Sequence, residues 1–263
     1  MFESVPFKEA IANLQKKGLL PLNLNNAQIR QLEAAVRRQS VFSAETTITG
    51  YLDEIKKTVA SIIEPKQVAR EGMTQTVTEG FNPATARANL RATLQRFGYQ
   101  PGGDIAGTIK DLSSDARINL VVKTNTQLAQ GAGHFIQQNL DPDVVDEYPA
   151  LELTRFEDKD QPRDWEQRWR IAAQVANDPA AAAALELHGR MAALKESDIW
   201  QALGDGEGGY TDTLGNPFPP FAFNSGMWTE ELSRAEAVEL GLLEENEKAG
   251  PAKLDLAELF SQS

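Results

Sequence analysis

Residues 114–139 read Ser-Asp-Ala-Arg-Ile-Asn-Leu-Val-Val-Lys-Thr-Asn-Thr-Gln-Leu-Ala-Gln-Gly-Ala-Gly-His-Phe-Ile-Gln-Gln-Asn. Ile118, Val121, Val122, Leu128, Ala132 and Phe135 recur at the spacing of one helix face, which predicts a long helix. Gly131 and Gly133 weaken it or allow close helix contact. Shortly after, Leu151-Glu-Leu-Thr-Arg-Phe156 changes period. Leu151, Leu153 and Phe156 are set against Glu152 and Arg155, a short strand pattern, with Arg190–Lys195 as its expected partner. A long helix followed by an isolated strand pattern predicts a mainly α fold with a small β element in the C-terminal half.

Towards the N-terminus the pattern is helical. Phe7, Ile11 and Leu14 share a face, and Gly18 suits a stop. Ile29, Leu32, Ala35 and Val36 repeat the pattern after a cap at Asn25–Asn26. Ser43 opens a longer segment with Ile48, Tyr51, Leu52, Ile55, Val59 and Ile62 on one face, ended by Pro65. Asn82–Pro83 predicts a capped start, followed by Leu90, Leu94 and Phe97, with Gly98 as the stop.

Towards the C-terminus, Pro162–Ala176 and Pro179–Leu187 are helix candidates. Residues 204–226 are rich in Gly, Pro, Asn and aromatics and predict an ordered, irregular loop. Ser233 and Glu236 fit a capping box for a last helix through about Leu240. The expected organisation is a helical region 1–140, an α+β closing region 141–243 and an acidic tail 244–263 that carries a short amphipathic patch, Leu254, Leu256, Leu259 and Phe260.

The chain has 263 residues, no Cys and two His. That excludes disulfides, Cys-ligated zinc, iron–sulfur clusters, thiol nucleophiles and a three-His metal site. The formal net charge of −12 is unevenly spread: residues 1–135 carry +4 and residues 136–263 carry −16. A general nucleic-acid coat needs a concentrated positive field, which this balance does not supply. A local basic face in the first half remains open, with Lys56, Lys57, Arg87, Arg91 and Arg96 as the DNA-facing candidates. Glu3, Lys8, Glu9, Lys16 and Lys17 interrupt any signal-peptide core, and no apolar run is long enough to span a membrane. The expectation is a soluble chain without a membrane partner.

Three constellations stand out. Residues 199–228 hold Trp200, Tyr210, Phe218, Phe221, Phe223 and Trp228, centred on Asn216-Pro-Phe-Pro-Pro-Phe-Ala-Phe-Asn-Ser-Gly-Met227. Closely spaced prolines exclude ordinary helix or central strand. The aromatics either pin the loop to a core or anchor a partner. Gln161-Pro-Arg-Asp-Trp-Glu-Gln-Arg-Trp-Arg170 predicts a helix capped by Asp160, with Pro162 at its first position and Arg163 and Asp164 in its first turn. Trp165 and Trp169 then share a face. Thr124, Asn125 and Thr126 interrupt an apolar helix and are either exposed or hydrogen-bonded across an interface.

Catalytic templates fit poorly. There is no Gly-x-Ser-x-Gly, Walker loop, His-Glu-x-x-His or dinucleotide fingerprint. His134 and His188 lack a neighbouring acid–nucleophile pattern. Arg155, Ser225 and Glu245/Glu247 follow the Arg…Ser…Glu-x-Glu order of ADP-ribosyltransferases, an enzymatic alternative that their flanking residues do not support.

The order of these motifs resembles the phage Mu F-like minor head proteins, also called phage head morphogenesis proteins. Pro6-Phe7-Lys-Glu-Ala-Ile11 with Lys17-Gly18-Leu19 is similar to that family's N-terminal segment. Phe42-Ser-Ala44 resembles its lead-in to the first long helix. Arg117 through Thr126 resembles its Arg…Ile…Thr-Asn helix, and Trp200 followed by Pro219-Pro220 resembles its Trp…Pro-Pro close. The resemblance covers about residues 5–243. Two departures mark a divergent branch. Arg163-Asp-Trp165 and Trp169 stand where many members have Arg-x-x-His, and Asn224-Ser-Gly-Met227 stands where they have Cys-Arg-Cys.

The resemblance implies a minor structural protein of a tailed-phage or prophage head. It implies the portal protein and inner capsid as partners during assembly, with some members packaged with DNA, and leaves a homo-oligomer open. The implied location is the head interior or portal vertex of the virion, and the host cytoplasm during assembly. No enzymatic activity and no cofactor is implied.

Overall fold

The computed structural model describes residues 8–21, 23, 40–43, 46–64, 66–70, 73–77 and 83–253. The sequence readings at Pro6–Phe7, Asn25–Val36, Ala44, Pro65, Asn82 and Leu254–Phe260 lie outside them. The fold is mainly helical with a small β content. It divides into two compact units, with the division between Gly133 and His134.

The first unit contains α1 (Lys8–Lys16), β1 (Gly18–Leu20), β2 (Ser40–Phe42), α2 (Thr49–Ile63), β3 (Lys66–Arg70), β4 (Met73–Val77), α3 (Pro83–Arg96) and most of α4 (Asp115–Leu140). Its core joins Leu14, Tyr51, Leu52, Ile55, Val59, Leu90, Leu94, Ile118, Val121, Val122 and Ala129. The helical period places these side chains on facing stripes. Gly98 ends α3 as expected, at φ +73°. Tyr99 N donates to the Leu94 carbonyl and Gly98 N to the Gln95 carbonyl, a Schellman closure that satisfies the last turn. Lys56 Nζ donates to the Gln15 and Lys17 carbonyls at 2.8 and 2.6 Å, closing the end of α1. The irregular segment after α3 is organised by Asp111, whose carboxylate accepts from Gly107 N, Ser113 N and the Ser113 hydroxyl. Burial opposes ionisation of Asp111, but these donors outweigh it and hold its carboxyl below the usual range.

Three expectations change here. β1 and β2 pair in parallel, and β3 and β4 pair antiparallel, where helix was expected throughout. Ser43 does not open α2, which starts at Thr49; its hydroxyl instead accepts from Arg117 Nη2 at 3.0 Å. Phe97 follows the last helical turn and is 57% exposed: its ring lies over Gly50 at the start of α2 rather than in the core.

The second unit contains the end of α4, then α5 (Pro142–Glu147), β5 (Ala150–Arg155), α6 (Trp165–Val175), α7 (Pro179–His188), β6 (Ala192–Leu194), α8 (Ile199–Asp205), β7 (Met227–Leu232) and α9 (Arg234–Glu239). Its sheet has the order β6-β5-β7, antiparallel throughout. β6 is the partner expected for β5, and β7 is a longer one, in the stretch between the 204–226 loop and the Ser233 cap for which the sequence predicts no element. Alternation divides the strands between two cores. Leu151, Leu153 and Met227 face the tryptophan helices. Ala150, Ala192 and Leu232 face Ala184 of α7, Ala237 of α9 and Leu240–Leu243. Phe156 breaks the alternation and is 55% exposed, since it stands on the opposite parity from Leu151 and Leu153. The Ser233/Glu236 capping box at α9 is formed in both directions.

Candidate functional site

α6 presents Trp165, Arg168, Trp169 and Ala172 on one buried face, the i, i+3, i+4, i+7 stripe of a packed helix. The cap is Asp164, whose carboxylate accepts from Gln167 N at 2.8 Å. Asp160 and Pro162 therefore lie ahead of the helix rather than at its cap and first position, and Arg163 lies outside it. Of the two aspartates, Asp164 is the one from which the next turn carries both tryptophans inward.

Arg163 and Arg168 converge on Asp212. Arg168 Nη1 and Nη2 each lie 3.0 Å from a separate Asp212 oxygen. Arg163 Nε lies 2.6 Å from the same carboxylate. Arg163 Nη2 also donates to the Phe223 carbonyl at 2.6 Å and Nη1 to the Asn224 carbonyl at 3.3 Å. The Arg168 guanidinium is sandwiched by aromatics, 4.0 Å from the Tyr210 ring centre and 5.0 Å from that of Trp165. These bonds tie the start of the segment 212–223 to α6 through Arg168 and its end to Arg163 just ahead of that helix. Inside the segment, Leu214 N donates to the Phe221 carbonyl, Phe223 N donates to the Asp212 carbonyl, and Pro219–Pro220 is cis.

Behind the clamp, the tryptophans stack edge to face. The Trp169 and Trp200 ring centres are 5.4 Å apart, and Trp200 lies nearly parallel to Phe221 at 6.1 Å. Trp169 Nε1 donates to the Ala181 carbonyl and Trp200 Nε1 to the Leu194 carbonyl. Trp165, Trp169, Trp200, Phe218 and Phe221 are all buried, and Phe223 is half-buried. Of the two readings the sequence leaves open for these aromatics, the burial of all but Phe223 agrees with the one that pins the loop to a core. Trp165 Nε1 and Asn216 Nδ2 are buried without a hydrogen-bond partner among the described residues.

The remaining candidates lie in the first unit. Thr124 and Asn125 are buried in α4, and Asn125 donates to the Val121 carbonyl one turn back. Lys57 pairs with Asp53 at 2.6 Å. Arg91 pairs with Asp115 and donates to the Ser113 carbonyl at 2.8 Å, while Arg87 reaches Asp115 and Asn119. With Lys56 of α2 bonded to the end of α1 and Arg96 donating to the Thr93 hydroxyl, every DNA-facing candidate named holds an internal partner.

The ADP-ribosyltransferase order is not assembled. Arg155 and Met227 are register partners at one end of the sheet, with Ser225 next to Met227. Glu245 and Glu247 line a groove with Pro142, Asp146 and Arg234, beyond the Ala150–Leu232 end. Five strand steps, about 17 Å, separate those two ends.

Three features had no sequence signal. Asp212 completes the clamp yet sits in unpatterned chain, beside a Tyr210 that stood out only as one aromatic of the loop. Lys195 is fully buried, donating to the Glu231 carboxylate at 2.7 Å and the Gln138 carbonyl at 3.0 Å. Burial lowers its pKa, against the opposing pull of Glu231. The groove around Arg234 has a volume of about 570 Å³ and is lined by Asp143, Asp146, Glu245 and Glu247. Among the described residues no cluster of three or more His, Asp or Glu is placed to hold a metal, and no helix is long and apolar enough to cross a membrane. Compared with protein-family models, curated proteins and solved structures, the chain has no match.

Proposed function

We propose that the chain is a minor structural protein of a tailed-phage or prophage head, docking on the portal or inner capsid during assembly. The reading starts from the resemblance to Mu F-like minor head proteins. One observation carries it further: the scattered motifs of the closing half meet in a single arrangement. Trp200 packs on Trp169 and Phe221, and the segment bearing Pro219–Pro220 is tied to α6 through Asp212. Motifs that share one core behave as the architecture of a family fold, with their polar groups used for internal bonds. The role is therefore mechanical: a closing unit and a helical unit, each offering surface to an assembly. No catalytic step is assigned. The expected location is the portal vertex or head interior, after assembly in the host cytoplasm.

The test is co-expression with a phage portal protein from the same genome, followed by gradient sedimentation. The chain should travel with the portal ring and survive washing at moderate salt. A chain that stays at the top of the gradient with both portal and procapsid overturns the reading. Retention on duplex DNA alone, steeply lost with salt, would replace it with a packaging role.

A further inference from the structure

The pairing of β5 with the chain ahead of β7 continues past Arg155. Phe156 N and Glu157 N both donate to the Gly226 carbonyl, at 3.0 and 3.2 Å, so residues 156–159 run on beside residues 224–226. Gly226 takes φ +67°, and a Cβ there would meet the Glu157 carbonyl and Lys159 Cε, so the lysine stem lies directly on the glycine. Arg163 holds the Phe223 and Asn224 carbonyls. Asn224 itself stands at φ +51°, a left-handed conformation that few residues with side chains adopt. Two segments 65 residues apart are thus fixed against each other.

These supports bring three functional groups to one point. Lys159 Nζ lies 2.8 Å from Asn224 Oδ1 and 2.9 Å from Glu157 Oε1. An ammonium only donates, so the amide oxygen must face it, with the carboxamide carbon Cγ one bond behind that contact. The Lys159 side chain is 15% exposed, which leaves little water to compete for the amine. The set is an amine nucleophile, an amide electrophile and a carboxylate base, the parts that amide exchange needs. Holding them together replaces a bimolecular encounter with an intramolecular one.

We propose that Lys159 and Asn224 are a modification site, at which the two side chains join in an amide bond with loss of ammonia. Glu157 takes one proton from the Lys159 ammonium. The freed Nζ pair attacks Asn224 Cγ, and the carbonyl pair moves onto Oδ1. As that pair returns, the Cγ–Nδ2 bond breaks, and Nδ2 leaves as ammonia with the second Nζ proton. The proton held by Glu157 passes to the ammonia, which departs as ammonium, and the carboxylate is restored. No oxidant is needed. The bond ties the lead-in of α6 to the end of the aromatic loop. It constrains the unfolded chain as a disulfide would, in a protein with no Cys. The proposal does not rest on the head-protein reading.

Intact-mass spectrometry of the full chain, followed over days in neutral buffer, tests it. The mass should fall by one ammonia. A tryptic digest should yield one branched peptide that joins Lys159 to Asn224, with no cleavage after Lys159. Lys159→Arg keeps a cation at the site but supplies no amine. Asn224→Gly keeps the left-handed backbone but supplies no amide. Both variants should keep the full mass of their sequences and a native circular dichroism spectrum. Glu157→Gln removes the base and should slow the loss at least about tenfold. The crosslinked chain should melt above the Lys159→Arg chain. A wild-type chain that retains its full mass overturns the proposal. So does a loss of ammonia that persists in Lys159→Arg, which would mean that Asn224 closes on its own backbone as a succinimide. An unchanged rate in Glu157→Gln overturns the role given to Glu157.

Discussion

Asp212 meets Arg168 end-on, each carboxylate oxygen 3.0 Å from one guanidinium nitrogen, while Arg163 closes on the same carboxylate from outside. The two arginines differ in what they have left of water. The Arg168 side chain is 9% exposed and the Arg163 side chain 29%. Asp212→Asn strands a buried guanidinium and should cost about 3 kcal/mol. Arg163→Gln should cost about 1 kcal/mol or less, because that pair is screened. Urea denaturation followed by tryptophan fluorescence reads both. Equal losses would mean that Arg168 is not the buried member of the clamp.

Trp169 is fully buried and bonds the Ala181 carbonyl. Trp169→Ala should destabilise the chain by about 3–5 kcal/mol. Trp169→Phe keeps most of the packing and removes the indole donor from a carbonyl that still accepts within the α7 ladder, so it should cost only about 1 kcal/mol. The near-ultraviolet circular dichroism of the Trp169–Trp200 pair should collapse in both variants at unchanged helix content.

Burial, with a contribution from Lys56, lowers the Lys17 pKa from 10.5 to about 8. Below about 8 the folded chain carries a buried ammonium that the unfolded chain keeps in water. Between about 8 and 10.5 the unfolded chain binds more protons, so this group makes stability rise with pH. Lys17→Met should therefore stabilise the protein at pH 7, by at most about 3 kcal/mol, and the gain should fade towards pH 10.5. Thermal melts across that range check the slope. A variant less stable at pH 7 would contradict it.

Ser233 and Glu236 cap α9 reciprocally. Ser233→Ala should cost about 1 kcal/mol. The Ser233 hydroxyl and amide hold the Glu236 carboxyl below its usual pKa. The capping contribution is therefore present above the ordinary glutamate range and lost as pH falls through the lowered value. Glu236→Gln should flatten that acid limb of the stability profile, measured by melts from pH 6 downward.

The sequence pattern was most informative where a single local rule governs a segment. The α4 stripe, the Gly98 stop, the Ser233–Glu236 box and the Leu151/Leu153 alternation each depend on residues within one or two turns, and each appears in the structure. The β1–β2 pair escaped because three residues carry no readable period. The β3–β4 hairpin escaped for a different reason. Lys66–Arg70 and Met73–Val77 bracket a two-residue connection, but their mixture of Thr, Gln and Val also fits a loop.

Trp165, Trp169, Trp200 and the proline-rich loop were conspicuous by composition alone, and local spacing placed both α6 tryptophans on one face. Whether they met solvent, a partner or a core depended on contacts far along the chain. Arg168 and Asp212 are 44 residues apart, and Lys195 and Glu231 are 36 apart. No periodicity links such positions. Helical and strand periods, caps and stops are set by neighbouring residues, so the sequence by itself determined the longer helices, though not the short α5 and α8, together with the first strand of the sheet and the absence of cysteine chemistry. Which charge is buried, which carboxylate answers it and which aromatics lose their water are set only when distant segments pack, because desolvation and pairing depend on the whole surrounding volume.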